Sequence, residues 1–353
     1  MKRRALDLYV KGRGYWNMRT EQALNLSVEY FQRAIACDPK YLPAYVGLAD
    51  ALNVLVGYGF APRAEALKKA NKQVSKVLGV NDSLAEVHAS LAFIHNERLD
   101  WEDAEREYLQ ALTINPDYAV ARHWYANFLG EHGFFDEARK QIDQALALDP
   151  LSISANGALG AILLVRRDYP AAIHQLRKTL EMAPNLGRVR MVLAEAYVHG
   201  GDCKSALQEI DKAATLLGKS AEVRADHGYI LAVCGDEEQA LKIATQLEQD
   251  REPGSAAVVY AGLGKADLAC RCLDQARPPL RVPPERVISD LKTDPRFDKV
   301  RDDPRFAKII AAVFPPFLRR TRGAAGGQRH AHSASPVDHR TAMSGKKARR
   351  RPA

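Results

Sequence analysis

Apolar and small positions recur along the chain with a helical spacing, and the arrangement returns every 34 residues. Ala70, Ala104, Ala138, Ala172, Ala206 and Ala240 each stand 34 residues apart. A second small-residue series, Ala92, Ala126, Gly160, Ala194 and Gly228, keeps the same step. Four residues after the alanines lies a bulky series, Val74, Tyr108, Ile142, Leu176 and Ile210, with Ala244 a smaller last member. Pro116, Pro150 and Pro184 mark turns, flanked in register by Asp82 and Gly218. Each unit therefore reads as two helical patterns separated by a short break such as Gly130-Glu131-His132-Gly133. The small positions let two backbones approach, and the bulky position fills the gap beside them. The proline falls just past the second helix, where its missing N–H costs little and propagation stops. Neither helix can bury its apolar face alone, so the units must stack. The expected fold class is all-α, an α-solenoid of stacked antiparallel helix pairs.

Leu159-Gly160, Tyr197, Ala104, Tyr108, Ala111 and Pro116 occupy the positions of a known pattern. Period and pattern resemble the tetratricopeptide repeat over roughly residues 5–276. The resemblance implies a right-handed solenoid of about eight helix pairs over residues 1–276. The first unit carries Gly12, Tyr15, Phe31, Ala34 and Pro39, and the second an insertion around Val56-Gly57-Tyr58-Gly59-Phe60-Ala61-Pro62. The last pair shows Ala257, Tyr260, Ala269, Leu273 and Ala276, after a shortened connection through Pro253.

Beyond Ala276, Pro278-Pro279 and Pro283-Pro284 break helices, and a short helix fits Arg286–Leu291. Asp294-Pro295-Arg296-Phe297 then returns nine residues later as Asp303-Pro304-Arg305-Phe306. Asp before Pro reads as an N-cap with Pro at the first helical position. Residues 277–318 are expected to form a capping segment whose Phe297 and Phe306 pack on the last repeat. This ending, with the opening Leu8-Tyr9-Val10-Lys11-Gly12-Arg13-Gly14-Tyr15-Trp16, resembles the repeat region at the C-terminal side of bacterial signalling proteins. In those, the repeats follow a winged-helix, nucleotide cyclase or protein-kinase domain. No such effector is read here, so a repeat module alone, freestanding or truncated, is expected.

Charge changes the picture only at one end. Residues 319–353 hold ten Lys/Arg and Asp338, a net +9 against +8 for the whole chain, which leaves −1 for the first 318 residues. The basic character belongs to a stretch with few large apolar residues, expected to be disordered. Its Lys346-Lys347-Ala348-Arg349-Arg350-Arg351 run could give weak, non-specific nucleic-acid contact by counterion release. Five cysteines without a secretory signal read as reduced thiols in a cytoplasmic protein, and no apolar run approaches a membrane span.

Candidate chemistry is sparse. Gly262-Leu263-Gly264-Lys265 lacks the spacing of a phosphate loop. Cys270 and Cys272 would point to different faces of a helix, without zinc-ligand spacing around them. His330, His332 and His339 have no scaffold to orient them. Glu102, Asp103, Glu105 and Glu107 read as a solvated helix face. No enzyme, cofactor or metal site is expected.

What the resemblance does supply is a surface, because the first helix of each repeat lines a concave groove. Side chains three and four apart share a face. The groove-facing pairs are then Val46/Asp50, Ala89/Phe93, His123/Asn127, Gly157/Ala161, Met191/Glu195 and Ala225/Tyr229. Asn127 alone matches the Lys/Asn set with which one subtype clamps an acidic peptide C-terminus. The candidate partner-binding residues are Asp50, Phe93, His123, Trp124, Asn127, Arg188, Met191, Glu195 and Tyr229. They suit an extended or helical protein segment anchored by apolar side chains. Two functions stay open: an interaction scaffold, or the regulatory module of a transcription regulator, cyclase or kinase.

Overall fold

The computed structural model describes residues 2–277 and 286–314. The basic stretch 319–353 and the proline pairs after Ala276 lie outside these residues. Sixteen helices form eight antiparallel pairs. They are α1 (Lys2–Asn17) with α2 (Glu21–Cys37), α3 (Leu42–Gly57) with α4 (Arg63–Leu78), and α5 (Ala85–Glu97) with α6 (Trp101–Ile114). Next come α7 (Ala119–Glu131) with α8 (Phe135–Leu148), α9 (Ile153–Val165) with α10 (Tyr169–Met182), and α11 (Gly187–His199) with α12 (Cys203–Leu217). The last two pairs are α13 (Ala221–Val233) with α14 (Glu237–Gln249), and α15 (Pro253–Gly262) with α16 (Ala266–Ala276). Among the described residues there is no strand. The architecture is an α-solenoid.

The 34-residue series explains why the pairs close. The six alanines of the second helices are fully buried, as are Ala92, Ala126 and Ala194 of the first. At Gly160 the approach is so tight that a Cβ would stand 2.4 Å from Leu176 Cδ2. The bulky residues Tyr108, Ile142, Leu176 and Ile210 lie fully buried beside these contacts.

The turn inside each pair has its own rule. Leu99, Gly133, Arg167, Gly201 and Gly235, again 34 apart, all take positive φ, as do Arg19 and Gly264 in the first and last pairs. Reversing the chain in so few residues requires one left-handed residue, which is why glycine predominates there. The following helix is capped by a side-chain oxygen in several pairs: Asp168, Asp202 and Asp236 accept from Ala171, Ser205 and Gln239 N–H.

After α16 the described chain resumes as α17 (Arg286–Asp290), a 3-10 helix (Pro295–Val300) and α18 (Pro304–Val313). Asp294 and Asp303 cap the last two, accepting from Arg296 and Arg305 N–H. Phe297 and Phe306 are buried and meet at 5.7 Å between ring centroids. The 3-10 helix packs on α15 and α16, and α18 on α16. This segment also runs back along the turns of earlier pairs. Thr293 Oγ1 donates to Glu131 O at 3.3 Å, Arg167 pairs with Asp298 at 2.6 Å, and Trp101 Nε1 donates to Val313 O at 3.3 Å. Phe314 stacks on Trp101 at 5.5 Å.

Two sequence expectations need correction. Cys203, which opens α12, and Cys234, which follows α13, are joined in a disulfide, so the thiols are not all reduced. Their Cα atoms lie 5.8 Å apart because stacking brings the start of one helix beside the end of the next. The acidic run of α6 is not wholly a solvated face. Glu105 is buried and accepts from Tyr125 Oη at 3.0 Å, while Glu107 faces His88 Nδ1 at 2.7 Å. Helix α5 of the same pair and α7 of the next cover these positions.

Candidate partner-binding cavity

The first helices of successive pairs, α3 through α13, turn residues inward onto one cavity of about 290 Å³. Seven of the nine candidate residues line it: Phe93, His123, Trp124, Asn127, Arg188, Met191 and Glu195. Phe93 and Trp124 make an aromatic wall, with ring centroids 5.3 Å apart. Gly157, Ala158 and Ala161 on α9 leave the opposing space open. Of the predicted i, i+4 pairs, residues on four helices, α5, α7, α9 and α11, line this space.

Asp50 and Tyr229 are absent from the lining. Asp50 is buried between helices, pairs with Arg13 at 3.0 Å and accepts from Ser90 Oγ. Burial pushes its carboxyl pKa up, and Arg13 opposes that. Tyr229 is buried against His199 at 5.7 Å, and burial raises its phenol pKa strongly.

The cavity also has walls that periodicity did not show. Arg19, from the α1–α2 turn, reaches across to Ser154 at the start of α9, with 3.4 Å between Nη2 and Oγ. Tyr58, in the insertion after α3, lines the same space. A Cβ on Gly59 would stand 3.4 Å from Glu222 Oε2, so this loop crosses to α13. The C-terminal segment supplies Asp290, Thr293, Asp294, Pro295 and Arg296. Partners so far apart in sequence could not be read from a local pattern.

Charge in the cavity is divided. At one end Arg296 joins Asp294 at 2.7 Å and Asp226 at 2.5 Å, with Glu195 at 3.8 Å. Burial raises the pKa of Asp226 to about 6 against the pull of Arg296, and raises Glu195 well above the usual carboxylate range. Arg188 pairs with Glu222. In the middle, Asn127 Nδ2 donates to His123 Nε2 at 3.4 Å, and burial holds the His123 pKa down at about 3. Such a neutral imidazole can accept or donate one hydrogen bond.

Among the described residues no group of three His, Cys, Asp or Glu side chains is placed to hold a metal ion, and no helix is long and apolar enough to cross a membrane. Cys270 and Cys272 are both buried, and burial raises both thiol pKa values.

Comparison with known proteins relates part of the chain to a family. Residues 126–186 and 158–221 match the model of the tetratricopeptide repeat. The human tetratricopeptide repeat protein 6 is 28% identical over 145 residues, which cover 40% of this chain and 26% of that protein. The transcriptional regulator HilA of Salmonella typhimurium is 21% identical over 148 residues, covering 42% of this chain and 27% of the regulator. The chain thus spans about a quarter of the length of these relatives. Among solved structures, the Cut9–Hcn1 hetero-tetramer of the APC/C superposes with a TM-score of 0.59 at 14% identity, over 88% of this chain and 54% of that one. That likeness is one of fold. Residues 126–221 match the tetratricopeptide repeat, and the helix pairs on either side continue the same stacked arrangement.

Proposed function

We propose that this protein is a non-enzymatic interaction module that takes a short segment of a partner polypeptide into the cavity formed by its first helices. The observation that carries this reading is the convergence of Phe93, Trp124 and Met191 with His123, Asn127, Arg188 and Glu195 on one space. An aromatic and aliphatic wall with few oriented polar groups is how a recognition site for one or two anchoring side chains is built. A cavity of about 290 Å³ suits such anchors rather than a whole helix.

The test is selection from a phage-displayed random peptide library. Selected peptides should bind with a shared apolar anchor. Ala161→Trp, which fills the cavity from α9, should weaken them at least about tenfold, or 1.4 kcal/mol, while helicity is kept. Peptides that bind the filled variant equally well would place recognition elsewhere.

A second reading is favoured by one observation, the 148-residue similarity to HilA. In that reading the same cavity serves as the sensing module of a signalling protein, and its occupant changes the state of an effector domain. A fusion of the chain to a reporter regulator whose output ignores a cavity-binding peptide would count against it. The nucleic-acid contact read from residues 319–353 and a cytoplasmic location belong to this proposal too. A DNA titration comparing residues 1–353 with 1–318 decides the first.

A further inference from the structure

Arg19 enters the cavity from a backbone conformation that arginine rarely takes. Its φ is 57°, in the left-handed region. The corresponding turn residue is Gly133, Gly201, Gly235 or Gly264 in four other pairs and Leu99 or Arg167 in two more, so glycine is the least strained choice there. An arginine there is explained by what its side chain reaches.

Arg19 is 5% exposed, and its buried charge is offset at a distance by Asp50 rather than by a direct ion pair. Nη2 lies 3.4 Å from Ser154 Oγ, and Nε has no acceptor. Among the described residues no carboxylate pairs with it. Arg167, in the same conformation in another pair, instead donates to both oxygens of Asp298 at 2.8 and 2.6 Å. The guanidinium of Arg19 stacks on Trp16 at 3.5 Å, and Arg13 lies over the same indole at 4.0 Å. Asp50, the nearby anion, is engaged by Arg13 and Ser90. Two cations thus share one carboxylate. Burial draws the Arg19 pKa down to about 10, and Arg13 pushes the same way. The other arginines lining the cavity, Arg188 and Arg296, have carboxylate partners.

We propose that Arg19 anchors a carboxylate of the segment that enters the cavity, with Ser154 beside it and the Phe93–Trp124 wall receiving the neighbouring apolar group. This rests on the binding reading above and adds the ligand's chemistry. One free guanidinium beside a neutral His123 matches one negative charge. A phosphate dianion would bring a second charge with no partner. The carboxylate is either an Asp/Glu side chain or the segment's C-terminus.

The first probe is 3-phenylpropanoate, followed by thermal shift and tryptophan fluorescence, with 3-phenylpropanamide and inorganic phosphate alongside. The carboxylate should raise the melting temperature and change the fluorescence, and the amide and phosphate should do neither. Arg19→Met and Arg19→Gly should abolish the response while melting no lower than the wild-type chain, because each removes a buried unpaired charge and glycine also relieves the turn. A lower melting temperature in both variants would make Arg19 a structural residue and overturn the assignment. So would a response that survives in them, or one of equal size to the amide.

Peptides selected on the cavity separate the two sources. Replacing the acidic residue by its amide should cost at least tenfold on the wild-type chain and nothing on Arg19→Met when a side chain is the source. C-terminal amidation should do so when the chain end is the source. Peptides that depend on Ala161 but on no carboxylate overturn the role of Arg19 and leave the cavity as a binding site. Peptides indifferent to Ala161 overturn the cavity reading itself.

Discussion

His123 lies 8% exposed on α7, with Asn127 donating to its Nε2. Burial, with a smaller push from Arg19, holds its pKa at about 3, against 6.5 for a free imidazole. Above pH 6.5 both folded and unfolded chains keep it neutral. As pH falls from 6.5 towards 3, the unfolded chain takes up a proton that the folded chain refuses. Each pH unit in that window therefore removes about 1.4 kcal/mol of stability. His123→Gln should flatten the fall by about that slope, read from urea unfolding at pH 7, 5.5 and 4.5. Parallel slopes in the two proteins would mean that the imidazole is not held neutral. Glycine gives a second residue-scale contrast. At Gly160 a Cβ meets Leu176 Cγ at 2.5 Å, so Gly160→Ala should destabilise by about 1–3 kcal/mol despite better helix propensity. At Gly14, within α1, nothing lies within 4 Å, so Gly14→Ala should stabilise by about 0.5–1 kcal/mol. Thermal melts giving the same sign for both would refute the close approach at Gly160. The importance of Gly160 could be read from its place in a small-residue series. The situation of Arg19 could not, because its neighbour Ser154 is 135 residues away and is brought there by the curl of the solenoid.

At the scale of elements, two identical motifs acquire different work. Asp294-Pro295-Arg296-Phe297 and Asp303-Pro304-Arg305-Phe306 cap their helices alike, and both phenylalanines are buried. Their arginines diverge. The Arg296 side chain is 14% exposed and holds Asp226 and Asp294, while that of Arg305 is 51% exposed and pairs with Asp303 and Asp267. Arg296→Met leaves buried carboxylates without a counter-charge, which commonly costs about 3–5 kcal/mol. Amide exchange should then accelerate across 286–314 and at the α11 and α13 positions facing it. Arg305→Met should leave the exchange pattern unchanged, since solvent screens its pairs. Equal effects of the two variants would contradict the burial that separates them. The motif itself, its caps and its proline positions were legible in the sequence because capping is local. Which arginine enters the cavity was not, because that depends on the path of the segment over helices some 70 residues away. The sixteen repeat helices were legible for the opposite reason: their closure depends on residues 34 apart that repeat the same small and bulky chemistry.

At the scale of the described molecule, that path alters how the solenoid should unfold. A simple repeat array is stabilised by contacts between neighbours, so opening spreads along it in steps. Here residues 293–314 tie distant pairs together: Thr293 to Glu131, Asp298 to Arg167, Arg296 to Asp226, Lys299 to the Gly262 carbonyl, and Val313 with Phe314 to Trp101. Phe297, Phe306 and Phe314 are buried along the same segment, and each such side chain contributes about 1.5–3 kcal/mol. Together they amount to a sizeable part of the 5–15 kcal/mol or so that separates a folded protein from its unfolded chain. The segment should therefore couple pairs that do not touch. In urea the chain 1–353 should unfold in one transition, with circular dichroism and tryptophan fluorescence giving the same midpoint. The chain 1–277, which keeps every repeat helix, should unfold at lower urea in a broader transition, with a reduced slope and separated midpoints, because only nearest-neighbour coupling remains. If 1–277 kept the slope and midpoint of the whole chain, the long-range ties would carry no free energy, and the repeat stack alone would account for its cooperativity.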